Sequence, residues 1–291
     1  TVLWGCWALG ANTPGGSGPF WQVLDGLRMV REHVTRGHNH PQFLLGRTSY
    51  TGWWTYFPAA FVLKTSVFLQ LLLLAGVWQA FRKTPGDPLQ GRRLLFRSLF
   101  LFPLCYTAAL LPSRLNIGFR HMMPVLPFLF LFVGVQADRF LRTSSRSGKA
   151  LVLPLLAGFV LSTLSSYPRM IGYFTEWARS RPERFLNDSN LDWGQDLKRL
   201  AGFMNARGIP RIYLDTFCPD EAPDLYLKGR YERRPVDRGL PETGWFAVSE
   251  FFIMSSRFNK DRGRARLDYR VLDGMEPVAK IGSSIRVYRF P

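Results

Sequence analysis

A chain of 291 residues with a net charge of +17 is long enough for one large domain or two ordinary ones. Its three cysteines include no C-x-x-C pair, so neither a disulfide framework nor a zinc site is supported. The charge invites a nucleic-acid partner, but the basic residues form no single stripe interleaved with aromatics; many flank apolar runs, where anionic membrane lipids are the natural partner.

The chain opens at Thr1 without an initiator Met. Its first residues, TVLWGCWALGA, read as the tail of a longer apolar segment, so the chain is expected to be the C-terminal portion of something larger. A polar loop over residues 12–53 follows, with His33, His38 and His40. Histidines so spaced suggest a metal, but HVTRGHNH offers no partner acid and no fixed helical spacing, so a solvated loop is the reading, with a divalent metal left as an unsupported alternative and no cofactor certain. Four apolar runs come next: Phe57–Phe81, Leu94–Leu111, His121–Ala137 and Ala150–Ser166. Each approaches the roughly 20 residues that a helix needs to cross a bilayer. In succession, with short polar loops between them, they predict a mainly α membrane protein: a multi-span helical bundle followed by a small extracytoplasmic α/β domain. Residues 1–166 form the transmembrane helical region, about five spans with the first truncated, and residues 167–291 the second domain.

Lys and Arg in short loops set the orientation. Arg82, Lys83, Arg92 and Arg93 follow the first long run, and Arg139, Arg142, Arg146 and Lys149 follow the third. The loop between them, PSRLNIGFRH, holds only Arg114 and Arg120. The richer loops are predicted to face the cytoplasm, in a multi-pass cell (inner) membrane protein whose C-terminal domain lies outside. Trp53, Trp54, Tyr56 and Tyr167 then sit at outer interfaces, where amphipathic rings settle.

In the tail, NDSNLDWGQDLKRL packs Asp188, Asn190 and Asp192 at calcium-loop spacing. The match fails because the sixth position is Trp193 instead of Gly and the twelfth is Arg199 instead of Glu. The plainer reading is a helix start, with Asp192 as N-cap and Gln195 three residues on, then Leu197, Leu200, Ala201 and Met204 at helical spacing up to Gly208 and Pro210. RIYLDTF, WFAVSEFFI and SIRVYRF read as strands.

LNDSNLDWGQDLKRL resembles a segment of the bacterial phospholipid-carrier-dependent glycosyltransferases of the GT-C fold, similar to dolichyl-phosphate-mannose–protein mannosyltransferases. FLLGRTSYTGWWTYFPAAFVLKTS, LNIGFRHMMPVLPFLFLF and PVAKIGSSIRVYRF resemble further segments of the same group, in the family's order. The resemblance implies a polyprenyl-phosphate-linked sugar as donor, transfer on the outer face of the membrane to a lipid or protein acceptor, and a general base in a first outer loop, upstream of Thr1.

The residues present fit the donor side. Lys64 lies inside an apolar run, where an ammonium is costly unless paired; pairing with a lipid phosphate is the functional reading. Arg114, Arg120 and His121 have no acid beside them in sequence and suit the same phosphate. Tyr50, Trp53, Trp54, Tyr56, Asn116, Asp188, Asn190, Asp192, Trp193 and Gln195 are candidates for a sugar or acceptor site, and Asp188, Asp192 and Asp196 substitute for the missing carboxylate only if the tail folds back over the membrane mouth. The alternative is a non-catalytic membrane protein whose outer domain binds glycan or protein.

Overall fold

The computed structural model describes residues 23–29, 31, 42–81, 93–143, 146–234, 239–258 and 269–291. The histidines of the first loop, the first apolar stretch and Arg82, Lys83 and Arg92 lie outside the described residues. Strands β1 (Gln42–Leu44) and β2 (Arg47–Ser49) pair antiparallel. Leu45 and Gly46 join them with φ of 50° and 76°, the two positive values of a type I′ hairpin turn. The hairpin is tied to the tail: Leu45 N–H donates to the Phe185 carbonyl at 2.9 Å, and Leu44 bridges Leu186.

The run predicted as the longest span breaks in two. Helix α1 (Tyr56–Lys64) ends where Thr65 turns extended, and α2 (Val67–Phe81) leaves at 112° to it. Helices α3 (Arg93–Leu110), α4 (Leu126–Thr143) and α5 (Arg146–Ser165) follow, with a 3-10 segment, Phe119–Val125, leading into α4. Leu69, Leu72, Phe132, Val133 and Val152 form the core between α2, α4 and α5. Gly158 makes that packing possible: a Cβ there would meet the Phe68 ring at 2.6 Å. A second core gathers Tyr56, Phe57, Leu63, Phe119 and Met122 with Phe174, Leu186 and Leu191 of the tail.

These helices overturn the multi-span bundle. Among the described residues, one helical stretch, Phe119–Arg142, is long and apolar enough to cross a membrane; the bent α1–α2 pair passes the same test only as a broken unit. The apolar parts of α3 and α5 shorten to Leu101–Leu110 and Val152–Ser165, about 15 and 21 Å of helix against about 30 Å of hydrocarbon. Polar groups also enter the helix packing: Gln79, Gln136 and Arg139 are buried, and Arg139 donates to the Gln79 carbonyl at 3.3 Å. The expected fold class is therefore corrected to helices joined to a five-stranded sheet. The predicted multi-pass inner-membrane placement, with its inside and outside loops, falls with the spans on which it rested.

The sheet is built by α6 (Leu197–Ala206), β3 (Ile212–Asp215), α7 (Ala222–Leu227), β4 (Tyr231–Arg233), β5 (Gly244–Ser249), α8 (Glu250–Phe258), β6 (Ala279–Ile281) and β7 (Ile285–Phe290). Its order is β4-β3-β5-β7-β6. The first three strands are parallel, and β7 runs antiparallel to both neighbours. Alternate strand residues feed opposite faces: Ile212, Leu214, Ala247 and Val287 pack under Leu197, Leu200 and Met204, while Phe246, Val248 and Tyr288 pack with Ile253 and Tyr269. The predicted cap is displaced. Helix α6 begins at Leu197 with Asp196 at the cap position, because Asp192 spends its carboxylate on the turn before it.

Candidate functional site

A cavity of about 390 Å³ opens where the α1–α2 bend, the start of α4 and the tail segment 187–193 meet. Leu69, Leu126, Phe130 and Phe159 give it apolar helix walls, while Lys64 lines it from the bend, Arg120 from the 3-10 segment before α4, and Ser189, Asn190 and Trp193 from the tail. Ser189, Asn190 and Trp193 of the tail thus form part of the cavity wall.

Lys64 is the last residue of α1, and the bend turns its side chain out of the apolar run. Its ammonium donates to the Asn190 carbonyl at 2.7 Å and the Ile171 carbonyl at 2.8 Å, and lies 4.4 Å from the Phe174 ring centre. Two of three N–H groups are thus committed to neutral acceptors. Burial pushes the ammonium down to about 7, as expected for a desolvated cation without a counter-charge. Arg120 holds its guanidinium 5.3 Å from the Trp193 ring centre, a cation–π arrangement that leaves its N–H edges available. Among the described residues neither cation has a carboxylate within ion-pair distance. The pair is therefore an unneutralised positive patch against apolar walls, suited to an anion that carries an apolar chain.

The floor is rigid. Asn190 donates to the Tyr56 hydroxyl at 2.9 Å and the Asn187 carbonyl at 3.1 Å, and accepts from Phe119 N–H at 2.8 Å. Both its amide hydrogens and its oxygen are engaged in holding the 3-10 turn Asp188–Asn190 against the cavity. Tyr56 is fully buried, and burial pushes its phenol well above the usual range.

Several sequence candidates lie elsewhere. Arg114 is exposed, and its carbonyl, not its side chain, is engaged, by the Gln42 amide. His121 turns its ring edgewise to Phe57, centres 6.3 Å apart. The 3-10 segment explains the split: successive residues point about 120° apart, so Arg120 and His121 cannot share a target. Tyr50 sits in the turn after β2, Trp53 packs on the core, and Trp54 is exposed. Asn116 is buried and structural, accepting from Trp53 N–H at 2.6 Å and donating to the Ser113 carbonyl at 3.1 Å. Gln195 closes its own turn, accepting from Trp193 N–H at 2.7 Å and donating to the Leu191 carbonyl at 2.8 Å.

Asp192 belongs to the sheet. It accepts from Ser249 at the end of β5 and from Gly194 N–H at 2.9 Å. Burial pushes its carboxyl up to about 6, although the hydrogen bonds from Ser249 and Gly194 pull the other way. Asp196 beside it accepts from Ser283 N–H and Ser284 Oγ, both at 3.0 Å. Two carboxylates engaged in this way fasten the 191–196 turn onto the sheet and leave nothing aimed at a ligand. Among the described residues no three His, Cys, Asp or Glu side chains come together as a metal site would require.

Sequence reasoning missed Glu176. Its carboxylate accepts from Ser66 Oγ and Val67 N–H, both at 2.9 Å, and from Ser162. It thereby fixes the start of α2, next to Lys64, against α5. A lone Glu in YFTEWARS has no spacing that announces this role. No protein-family model, curated protein or solved structure matches the chain.

Proposed function

We propose that the chain binds a polyprenyl-phosphate-linked sugar in the cavity beneath Trp193 and serves its transfer to an acceptor hydroxyl. The observation that carries this reading is the meeting of Lys64 and Arg120 in one cavity whose remaining walls are largely apolar. A phosphodiester between a sugar and a long hydrocarbon matches both halves of that lining. Exposed apolar side chains on the outer faces of α2, α3 and α5, among them Leu74, Trp78, Leu104 and Leu161, offer a lipid chain further contact.

In the transfer, the acceptor oxygen attacks the anomeric carbon and the bond from that carbon to the phosphate oxygen breaks. The electron pair leaves with the phosphate, where Lys64 and Arg120 stabilise the charge. The hydroxyl proton goes to a carboxylate acting as general base, which the family resemblance implies.

Binding of a short-chain polyprenyl-phosphate sugar in detergent micelles tests the reading. Loss of one charge-assisted contact costs about 1.5–3 kcal/mol, so Arg120→Ala and Lys64→Ala should each weaken binding by roughly 10- to 100-fold. Arg120 is exposed, so its removal leaves the fold intact. Undiminished binding in both variants overturns the assignment.

A further inference from the structure

A hydroxyl on a cavity wall carries one hydrogen to donate and two lone pairs that accept, so the destination of its hydrogen decides what it offers a ligand. Among the described residues, Thr65, Ser66, Thr163, Tyr173 and Ser189 bring hydroxyls to the cavity that holds Lys64 and Arg120. Each spends its hydrogen within the protein. Thr65 donates to the Phe61 carbonyl at 2.7 Å, Thr163 to the Phe159 carbonyl at 2.9 Å, and Ser189 to the Ile117 carbonyl. Ser66 donates to Glu176 Oε1 at 2.9 Å. Tyr173 has its oxygen 3.0 Å from Ser162 Oγ and 3.4 Å from Glu176 Oε1. Because Ser162 gives its own hydrogen to Glu176, both of these neighbours are acceptors, and the phenol donates to them.

The cavity oxygens are thus left to accept. Thr65 and Ser66 each already take a further bond, from the Gln70 amide at 3.3 Å and from Phe68 N–H at 3.2 Å. Thr163, near the end of α5, and Tyr173, in the segment after it, accept none among the described residues, so the unused lone pairs of this wall are theirs. The hydrogens still on offer belong to the cations. Lys64 keeps one N–H, and Arg120 keeps its guanidinium edges above Trp193. A phosphate brings only acceptor oxygens, which the cations satisfy and the Thr163–Tyr173 wall opposes. That wall calls for a ligand group that donates.

We infer that Thr163 and Tyr173 form the sugar subsite of this cavity, accepting hydrogen bonds from hydroxyls of the donor's sugar and selecting a glycosylated lipid phosphate over other phosphodiesters of the same charge. The inference rests on the cavity reading and adds the face against which the sugar lies. Glu176 is a positioning residue for it. Its carboxylate draws the hydrogens of Ser66, Ser162 and Tyr173 away from the cavity, so the phenol cannot turn round to serve a phosphate. The two subsites adjoin, since Lys64 donates to the carbonyl of Ile171, two residues before Tyr173.

The experiment measures binding to the full chain in detergent micelles. Its probes are a polyprenyl-phosphate hexose, the polyprenyl methyl phosphate that has the same charge and no hydroxyl, and hexose analogues with one hydroxyl replaced by fluorine, which does not donate. The wild type should prefer the hexose to the methyl ester by roughly tenfold, and at least one fluorine replacement should cost about fivefold. Tyr173→Phe keeps the ring and Thr163→Val keeps the shape, each removing one acceptor oxygen. Each should weaken hexose binding about fivefold, leave the methyl ester within twofold, and one of them should make the costly fluorine replacement harmless. Thr163→Val decides the matter if Tyr173→Phe does not fold. Equal wild-type affinity for the two phosphodiesters overturns the subsite and leaves the cavity reading standing, as do variants that weaken both probes alike. A hexose preference that persists while Lys64→Ala and Arg120→Ala bind undiminished keeps the subsite and sinks the phosphate assignment. A wild-type chain that binds neither probe overturns both.

Discussion

Lys64 combines two demands that compete in one side chain. Its position at the end of α1 buries the ammonium, and the cavity needs it charged. Because burial sets its free value at about 7, the cation is present below that pH and lost above it. A bound phosphodiester keeps its own charge throughout this range and raises the value for Lys64 in the complex. Affinity for the lipid-phosphate sugar should therefore be highest at about pH 6 and fall by roughly tenfold toward pH 9, whereas Lys64→Arg, permanently charged, should give a flat profile. A flat wild-type profile removes Lys64 from the site. Lys64 and Arg120 were legible as candidates because charge inside or next to an apolar run is conspicuous in a sequence, and Trp193 because a large ring stands out in the polar stretch NDSNLDWGQDLKRL. Arg114 and His121 looked equivalent to Arg120; the 3-10 geometry turns His121 away from it, and Arg114 sits exposed in the loop before that segment. Thr163 and Tyr173 were not legible at all, since the direction in which a hydroxyl sends its hydrogen is a property of packing.

At the scale of elements, the run WFAVSEFFI divides, its WFAVS forming β5 and its EFFI opening α8, whereas RIYLDTF and SIRVYRF coincided with β3 and β7. The cap of α6 did not, because Asp192 and Asp196 are both acceptable capping residues and tertiary contacts chose between them. Gly282 shows how tight that choice is: a Cβ there would meet the Asp196 carboxylate at 2.0 Å. Asp192 in turn lowers the stability of the turn it organises. Its folded value near 6 lies above the ordinary aspartate value of 3.8, so the folded state binds the extra proton, and stability falls as pH rises from about 4 through 6. Asp192→Asn keeps an acceptor for Gly194 N–H and removes the ionisation. It should match the wild type in urea at pH 4 and exceed it at pH 8 by about 2 kcal/mol, within the 1.36 kcal/mol per unit that linkage permits. Equal stability at both pH values shows that Asp192 ionises without cost.

Across the whole molecule, hydropathy misled where it ignored what breaks a run. Phe57–Phe81 is apolar almost throughout, yet Thr65 and Ser66 interrupt it, and the carboxylate that satisfies the new helix start comes from Glu176, some 110 positions later in the chain. Composition windows see the run but not its distant partner. Glu176 links three parts: it caps α2, accepts from Ser162 of α5 and sits beside Thr175, whose N–H donates to the Leu63 carbonyl at 2.8 Å. Burial works against its charge, but the hydrogen bonds from Ser162, Val67 N–H and Ser66 prevail and hold the carboxyl at about 2. With the folded value below the ordinary glutamate value of 4.5, its contribution is complete above that pH and is lost as pH falls toward 2. Glu176→Gln replaces an acceptor of several donors by an amide whose N–H₂ faces them. It should cost about 1–3 kcal/mol, raise amide exchange around residues 62–70, and weaken lipid-phosphate binding several-fold by loosening the bend that aims Lys64. The same variant should lose less stability than the wild type between pH 4.5 and 2. A variant with unchanged exchange at the bend and unchanged affinity would mean that apolar packing between α1, α2 and α5 alone holds the cavity open.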